Sequence, residues 1–290
     1  SGVMALLLMN VVIASVCIVR GLTPASEAFF QFITMTTIVA TNPIPMSTGT
    51  RVNMKSNEEL SMAGPSGEPA ERLTLANPAL EERYPDPMSL PDRLARSIEV
   101  ATPDLIELRR DLHSSPELSW LEERTTDVVA SWMDKTGISY ERFDGTGLMA
   151  DIGPAEGPIV ALRADLDGLP VDDTSQDPWK SSVPGVSHSC GHDVHVAALI
   201  GAGVALAQAH AEEPLPVRVR LIFQPAEEVM PGGALRLVAA GALKGVARIF
   251  ALHCDPSLDV GQVGLREGPI TGASDRIHVV LSGRDWKPAA

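Results

Sequence analysis

Past Ser97 the apolar positions recur with two periods, one of three to four residues and one of two, the marks of helix and strand. Leu105, Leu108 and Leu112 keep the helical period behind Thr102-Pro103-Asp104. That triplet combines an N-cap, a proline at the first helical position and an acidic first turn, so the spacing predicts a helix that starts near Pro103 and stops before Pro116. Residues 121–136 repeat the period, with Val128, Val129, Trp132 and Met133 sharing a face and Gly137 placed to end the segment. Residues 140–143 and 148–152, joined by Asp144-Gly145-Thr146-Gly147, predict a hairpin, and residues 159–162 a short buried strand. Residues 192–209, rich in Ala, Val and Leu, predict a buried helix closed by Pro214 and Pro216. Further on, residues 217–223 alternate as a strand, 233–240 read as a helix, and 247–253, 261–265 and 276–281 as strands. Strands alternating with helices imply an α/β layered sheet with flanking helices, in which functional loops sit at strand C-terminal ends.

Upstream of this region the pattern differs. Residues 3–19 are apolar but for Asn10 and Ser15, with Arg20 behind them, a length at the short limit for a membrane-crossing helix. Only Ser1 and Gly2 precede the run, so it lacks the basic residues of a secretory signal. It reads either as an anchor or signal, or as sequence preceding a start at Met46, Met54 or Met88, in a chain that opens on serine. Residues 41–91 are dense in proline, with Gly, Ser and Glu between, and predict a flexible linker. The expected division is therefore an N-terminal segment and linker over 1–96, with the organised part beyond.

Composition narrows the function classes. With 23 Lys and Arg against 37 Asp and Glu, the net charge of −14 offers no general attraction to nucleic acid or anionic lipid. Cys17, Cys190 and Cys254 are too few and too scattered for a disulfide framework, and they fit a reducing, cytoplasmic compartment or a metal site. Export or membrane attachment through residues 3–19 is the alternative. No internal repeat or heptad is visible, which removes solenoid and coiled-coil readings.

Candidate chemistry collects at the expected strand and helix ends. His188, Cys190, His192, Asp193 and His195 fall just before or in the first turn of the apolar helix. Cys190 and His192 could bind one metal centre, but a pair cannot complete the four or more ligands that a divalent ion wants; a surface loop is the equal alternative. Glu227 and Glu228 follow the strand 217–223, and a cation would relieve the repulsion between them. One acid could ligate while its neighbour takes a proton from an activated water. His253 ends another strand, and Asp165 and Asp167 follow a third, where a carboxylate such as Asp167 can orient a ligating histidine.

Four ordered motifs resemble the M20 metallopeptidase family: Leu-Arg-Ala-Asp-Leu-Asp-Gly-Leu-Pro at 162–170, Ser-Cys-Gly-His-Asp-Val-His at 189–195, Phe-Gln-Pro-Ala-Glu-Glu at 223–228 and Ala-Leu-His at 251–253. Within it they resemble the amidohydrolases that include hippurate hydrolases, N-acyl-amino-acid deacylases and auxin-conjugate hydrolases. The resemblance implies a two-metal hydrolase of N-acyl amino acids, with a catalytic domain over 97–274 interrupted by a smaller dimerisation domain that begins at 275–290. By motif position it implies Cys190, His192, Glu228 and His253 as metal ligands, Glu227 as the general base and Asp167 as an orienting carboxylate. The metal would be manganese, zinc, nickel or cobalt.

After Arg284 the family pattern continues with glycines and a histidine, whereas here Asp285-Trp286-Lys287-Pro288-Ala289-Ala290 follows. The resemblance therefore implies a truncated chain lacking most of the dimerisation domain, through which a homodimer would form, and the last ligand histidine. Impaired catalysis is the expectation. The alternatives are a non-catalytic fragment that binds metal or a protein partner, and a thiol enzyme in which His192 activates Cys190, a reading that leaves Glu227 and Glu228 without a task.

Overall fold

The computed structural model describes residues 12–16, 51–53, 83, 88–258 and 262–264. The elements follow as β1 (Val12–Val16), β2 (Arg51–Asn53), α1 (Leu90–Ser114), α2 (Glu123–Thr136), β3 (Tyr140–Arg142), β4 (Leu148–Ile152), β5 (Ile159–Asp165), α3 (His192–Glu212), β6 (Arg218–Gln224), α4 (Gly233–Ala239), β7 (Val246–His253) and β8 (Gln262–Gly264). The rest of the apolar run 3–19 and most of the expected linker lie outside the described residues. So do the expected strand 276–281 and the segment 275–290.

The first helix departs from the expectation. It begins inside the segment assigned to the linker, capped by Ser89, whose side chain accepts from the Asp92 N–H while Asp92 accepts from the Ser89 N–H. Pro91 occupies the first turn, and the helix then runs straight through Pro103. Two start signals thus stand in one helix, Ser89-Leu90-Pro91-Asp92 and Thr102-Pro103-Asp104, and the first is used. Burial decides: Leu94, Ile98, Leu105, Leu108 and Leu112 form one buried stripe that crosses the proline. Thr102 donates its hydroxyl to the Ile98 carbonyl at 2.7 Å, which keeps the turn bonded where proline has no N–H.

The sheet has eight strands in the order β2-β8-β1-β7-β5-β6-β4-β3. β5 lies between β7 and β6 and is parallel to both, so the C-terminal ends of three strands open on one edge. β3 and β4 form the expected hairpin, and β4 is antiparallel to β6. α1, α2 and α3 cover one face, and α4 covers the other through a smaller cluster of Phe143, Ile159, Ala161, Ile222, Leu237, Ala242 and Val246. β6 is therefore buried on both sides, and Arg220, on its α4 side, forks onto both oxygens of Asp151 at 2.7 and 2.8 Å and onto the Ala242 carbonyl at 2.9 Å.

α3 is apolar around nearly its whole circumference and is the helix on which the larger core is built. Among the described residues it alone has the length and hydropathy to cross a membrane, yet most of it is buried in the protein. At Gly203 an added Cβ would stand 2.7 Å from Leu221 Cδ1, so the helix backbone rests directly on the sheet. That contact fixes where the N-terminus of α3 meets the open strand ends.

Candidate metal centre

Three strand ends and one helix start converge. β5 ends at Asp165 with Asp167 two residues on, β6 leads through Gln224 and Pro225 to Glu227 and Glu228, β7 ends at His253, and α3 begins at His192. Gly191 makes the turn between Cys190 and His192: it is left-handed, with φ 84°, and packs where a Cβ would meet Cys254 Sγ at 2.7 Å. A side chain at this position would force the loop away from Cys254.

The donors of Cys190, His192 and Glu228 lie within 4.8 Å of one another. His192 Nε2 stands 3.6 Å from Glu228 Oε1, and Cys190 Sγ is 3.9 Å from His253 Nε2. Glu228 Oε1 is buried without a hydrogen-bond partner, as is His192 Nδ1, although the latter faces Asp167 Oδ1 at 3.4 Å. Asp167 accepts the backbone N–H groups of Glu227 and Glu228 at 3.0 Å each and the Ser119 hydroxyl at 2.6 Å. One buried carboxylate therefore faces the His192 ring and fixes the acidic pair at once.

Charge follows the geometry. Burial disfavours a charged His192 ring, but Asp165, Asp167 and Cys190 outweigh it and hold the ring's pKa well above the usual histidine range. Cys190 is the chief cause that raises His253. The Glu227 side chain reaches solvent, yet the protein around its carboxyl raises its pKa, and Asp165 adds to this while Arg163 and His192 oppose it. The excess of carboxylates around two imidazoles and a thiol is what a cation would balance, and a mixed S, N and O donor set suits borderline divalent ions.

Asp165, His192 and His195 form a second group with donors within 4.8 Å. Its own bonds close it. His195 Nδ1 meets Asp165 Oδ1 at 2.5 Å and its Nε2 accepts the Cys254 N–H at 3.2 Å, which commits both ring nitrogens. Arg163 Nη1 lies 2.8 Å from Asp165 Oδ2, and together with His192 and His195 it overcomes the effect of burial and keeps Asp165 ionised. Behind the helix start, Asp193 meets Arg109 Nε and His113 Nδ1 at 2.7 Å each, and His188 is buried beside it with neither ring nitrogen partnered.

The structure thus brings together all the residues that the sequence singles out: Cys190, His192, Glu227, Glu228, His253 and Asp167. Asp165, His195 and Asp193 are placed around them in hydrogen-bonded support, and His188 lies buried beside Asp193 with neither ring nitrogen partnered. Sequence reasoning misses Ser119, Glu122 and Arg163. Ser119 lies in a connecting segment with no period to mark it, Glu122 falls at the edge of the expected helix 121–136 as an ordinary polar position, and Arg163 lies in the first family-like motif just past the expected strand 159–162.

Comparison with known proteins gives the same direction. The family profile described as Peptidase family M20/M25/M40 matches residues 161–287. A Bacillus subtilis N-acetylcysteine deacetylase is 44% identical over 183 residues, which are 62% of this chain and 47% of that protein. A Rhodococcus jostii protein with the provisional name glutamate–cysteine ligase 2-3 is 53% identical over 186 residues, 64% of this chain but only 23% of its own length. A solved Bacillus subtilis structure, described as a dinuclear metal binding peptidase from the M20 family, has a TM-score of 0.52 at 42% identity, covering 55% of this chain and 45% of that one. The chain thus spans less than half the length of each of these relatives.

Proposed function

Because residues 161–287 carry the domain of peptidase family M20/M25/M40, and the chain resembles a metal-binding member of it, we infer that the protein is a metal-dependent amidohydrolase. Its substrates are N-acyl amino acids, such as the N-acetylcysteine of the deacetylase it resembles. The observation that carries this reading is the convergence of Cys190, His192 and Glu228 beside a second carboxylate, Glu227, from the same loop.

Cys190, His192, Glu228 and His253 are the residues that would hold divalent ions, two in number as in the solved relative. When bound, such ions lower the pKa of water and polarise an amide carbonyl. The protein's own part is proton handling and orientation. Glu227, adjacent to a ligand but free to reach solvent, takes the proton from the attacking water and returns it to the leaving amine nitrogen. Partial burial of its carboxyl raises its pKa above the ordinary carboxylate value, which makes it a stronger base toward that proton. Asp167 faces the Nδ1 side of His192, which leaves Nε2 as the donor nitrogen, and by holding two backbone N–H groups it keeps the base and ligand in fixed relation.

The test separates the two acids. Glu227→Gln is expected to lower turnover of N-acetyl amino acids by about a hundredfold or more with metal content kept, because a base is lost and no ligand. Glu228→Gln is expected to lower both metal content and turnover. Equal metal content in the two variants, or hydrolysis that a chelator leaves untouched, would overturn the assignment; the second result would return Cys190 to consideration as a nucleophile.

A further inference from the structure

Three consecutive backbone N–H groups run into the acidic pair, and each ends on a buried carboxylate. Those of Glu227 and Glu228 go to Asp167, and that of Ala226 goes to Oε1 of Glu122 at 2.7 Å. Glu122 comes from the segment just before α2, far away in sequence, and its side chain is fully buried. Its other oxygen accepts the Thr146 hydroxyl at 2.7 Å. Its backbone carbonyl accepts the Thr126 N–H and hydroxyl at 2.9 and 2.7 Å, and Thr126 in turn accepts the Gly147 N–H at 2.9 Å. The carboxylate is thereby gripped by the start of α2 and by the hairpin turn together.

Ala226 stands at φ 49°, in the left-handed region, and it is fully buried. An L-residue keeps such a conformation only where its surroundings enforce it, and the sites where they do cluster around functional groups. On the other side of the same residue, the Ala226 carbonyl accepts the Gly233 N–H at 2.8 Å. A buried carboxylate is costly, and here it is met by backbone N–H groups and a hydroxyl, so a role must be sought in what those bonds hold.

We propose that Glu122 is a positioning residue: by holding the Ala226 N–H it enforces the left-handed turn that presents Glu227 and Glu228 as a pair toward Cys190 and His192. The role of that pair as base and ligand rests on the function proposed above; the turn itself does not. Glutamine at 122 keeps an acceptor for Ala226 and can meet Thr146 with its amide, whereas alanine leaves the Ala226 N–H buried and unpaired.

Hydrogen exchange on the metal-free chain decides the matter. Glu122→Ala is expected to raise exchange of the Ala226, Glu227 and Glu228 amides at least tenfold while amides in α3 and β5 keep their protection, and Glu122→Gln is expected to remain within about threefold of wild type. A parallel Co²⁺ titration followed by visible absorption reads the donor geometry. Glu122→Ala should bind at least tenfold more weakly with an altered spectrum, and Glu122→Gln should restore both. Unchanged exchange at 226–228, or raised exchange with unaltered Co²⁺ affinity, would overturn the proposal. Should wild type take up no Co²⁺, the metal reading falls while the exchange data still decide the turn. If Glu122→Ala does not fold, Thr146→Val serves instead: it frees one oxygen of Glu122, and failure to raise Ala226 exchange at least threefold would overturn the proposal.

Discussion

Gly191 and Gly137 are both left-handed, with φ of 84° and 69°, but their surroundings differ. At Gly137 an added Cβ meets nothing within 4 Å, whereas at Gly191 it would stand 2.7 Å from Cys254 Sγ and 2.9 Å from Cys254 Cβ. Substituting alanine at either site imposes a left-handed penalty of about 1–2 kcal/mol. The stiffer unfolded chain offsets about 0.4–1 kcal/mol of it. Gly137→Ala therefore measures the backbone term alone. Gly191→Ala carries an overlap as well, which in packed interiors costs about 1–3 kcal/mol. Rotating the Cys254 side chain cannot relieve it, because Cβ is itself too close and the residue's N–H is tied to His195 Nε2 at 3.2 Å. The strand end that bears His253 must shift instead. The difference between the two variants is thus expected to be about 1–3 kcal/mol, roughly 5- to 150-fold in the unfolding constant. Urea unfolding followed by circular dichroism measures both on one scale. Equal losses at the two glycines would refute the close packing of Gly191 on Cys254.

Pro103→Ala tests the continuity of α1. Proline in a helix interior is about 3 kcal/mol worse than alanine; after adaptation of the native turn and the gain in unfolded-chain entropy, a stabilisation of about 1–2 kcal/mol in urea is expected. A helix that began at Pro103 would be unchanged or weakened by the same substitution. His188 supplies a pH dependence. Burial holds its pKa down to about 4, with Asp193 opposing, so the unfolded chain takes up the proton first as pH falls below about 6.5. The stability that rests on a neutral ring is present above that pH and is lost toward pH 4, by at most about 3 kcal/mol. Asp173, held at about 2, adds its loss only below the usual carboxylate range. A His188→Leu variant is expected to flatten the fall in urea midpoint between pH 6.5 and 4.5, and an unchanged slope would remove the argument.

The sequence makes much of this fold readable because its signals are local. The alternation in 217–223, the Ala-rich run after His192 and the hairpin turn at 144–147 each correspond to an element near the expected bounds. Where the reading fails, a distant contact decides. The start signal at Thr102-Pro103-Asp104 is locally sound, and it is overridden by a leucine stripe whose meaning depends on α3 packing across it. Arg220 fits an alternating strand, but nothing nearby announces that α4 covers its face and that Asp151 awaits it. The candidate ligands are recognisable because their motifs lie at strand ends. Ser119 and Glu122 support those ligands from a segment between two helices, through bonds that span 48 and 104 residues of chain, and no short-range pattern records such a pairing.

The strand order carries a consequence for how the donor set comes into being. β7 docks against β5 on the edge opposite β6, although β6 precedes it in the chain, so the path from Glu228 to His253 crosses over the central strand. A chain growing from its N-terminus can zip β5, β4 and β6 and already hold Asp167 beside the acidic pair, but β5 still has an open edge at that stage. Only the arrival of β7 closes that edge and brings the histidine opposite Cys190. Cys190, His192 and Glu228 all precede β7, so a cation held by those three gains His253 only at this step and would favour the docking of β7 by mass action.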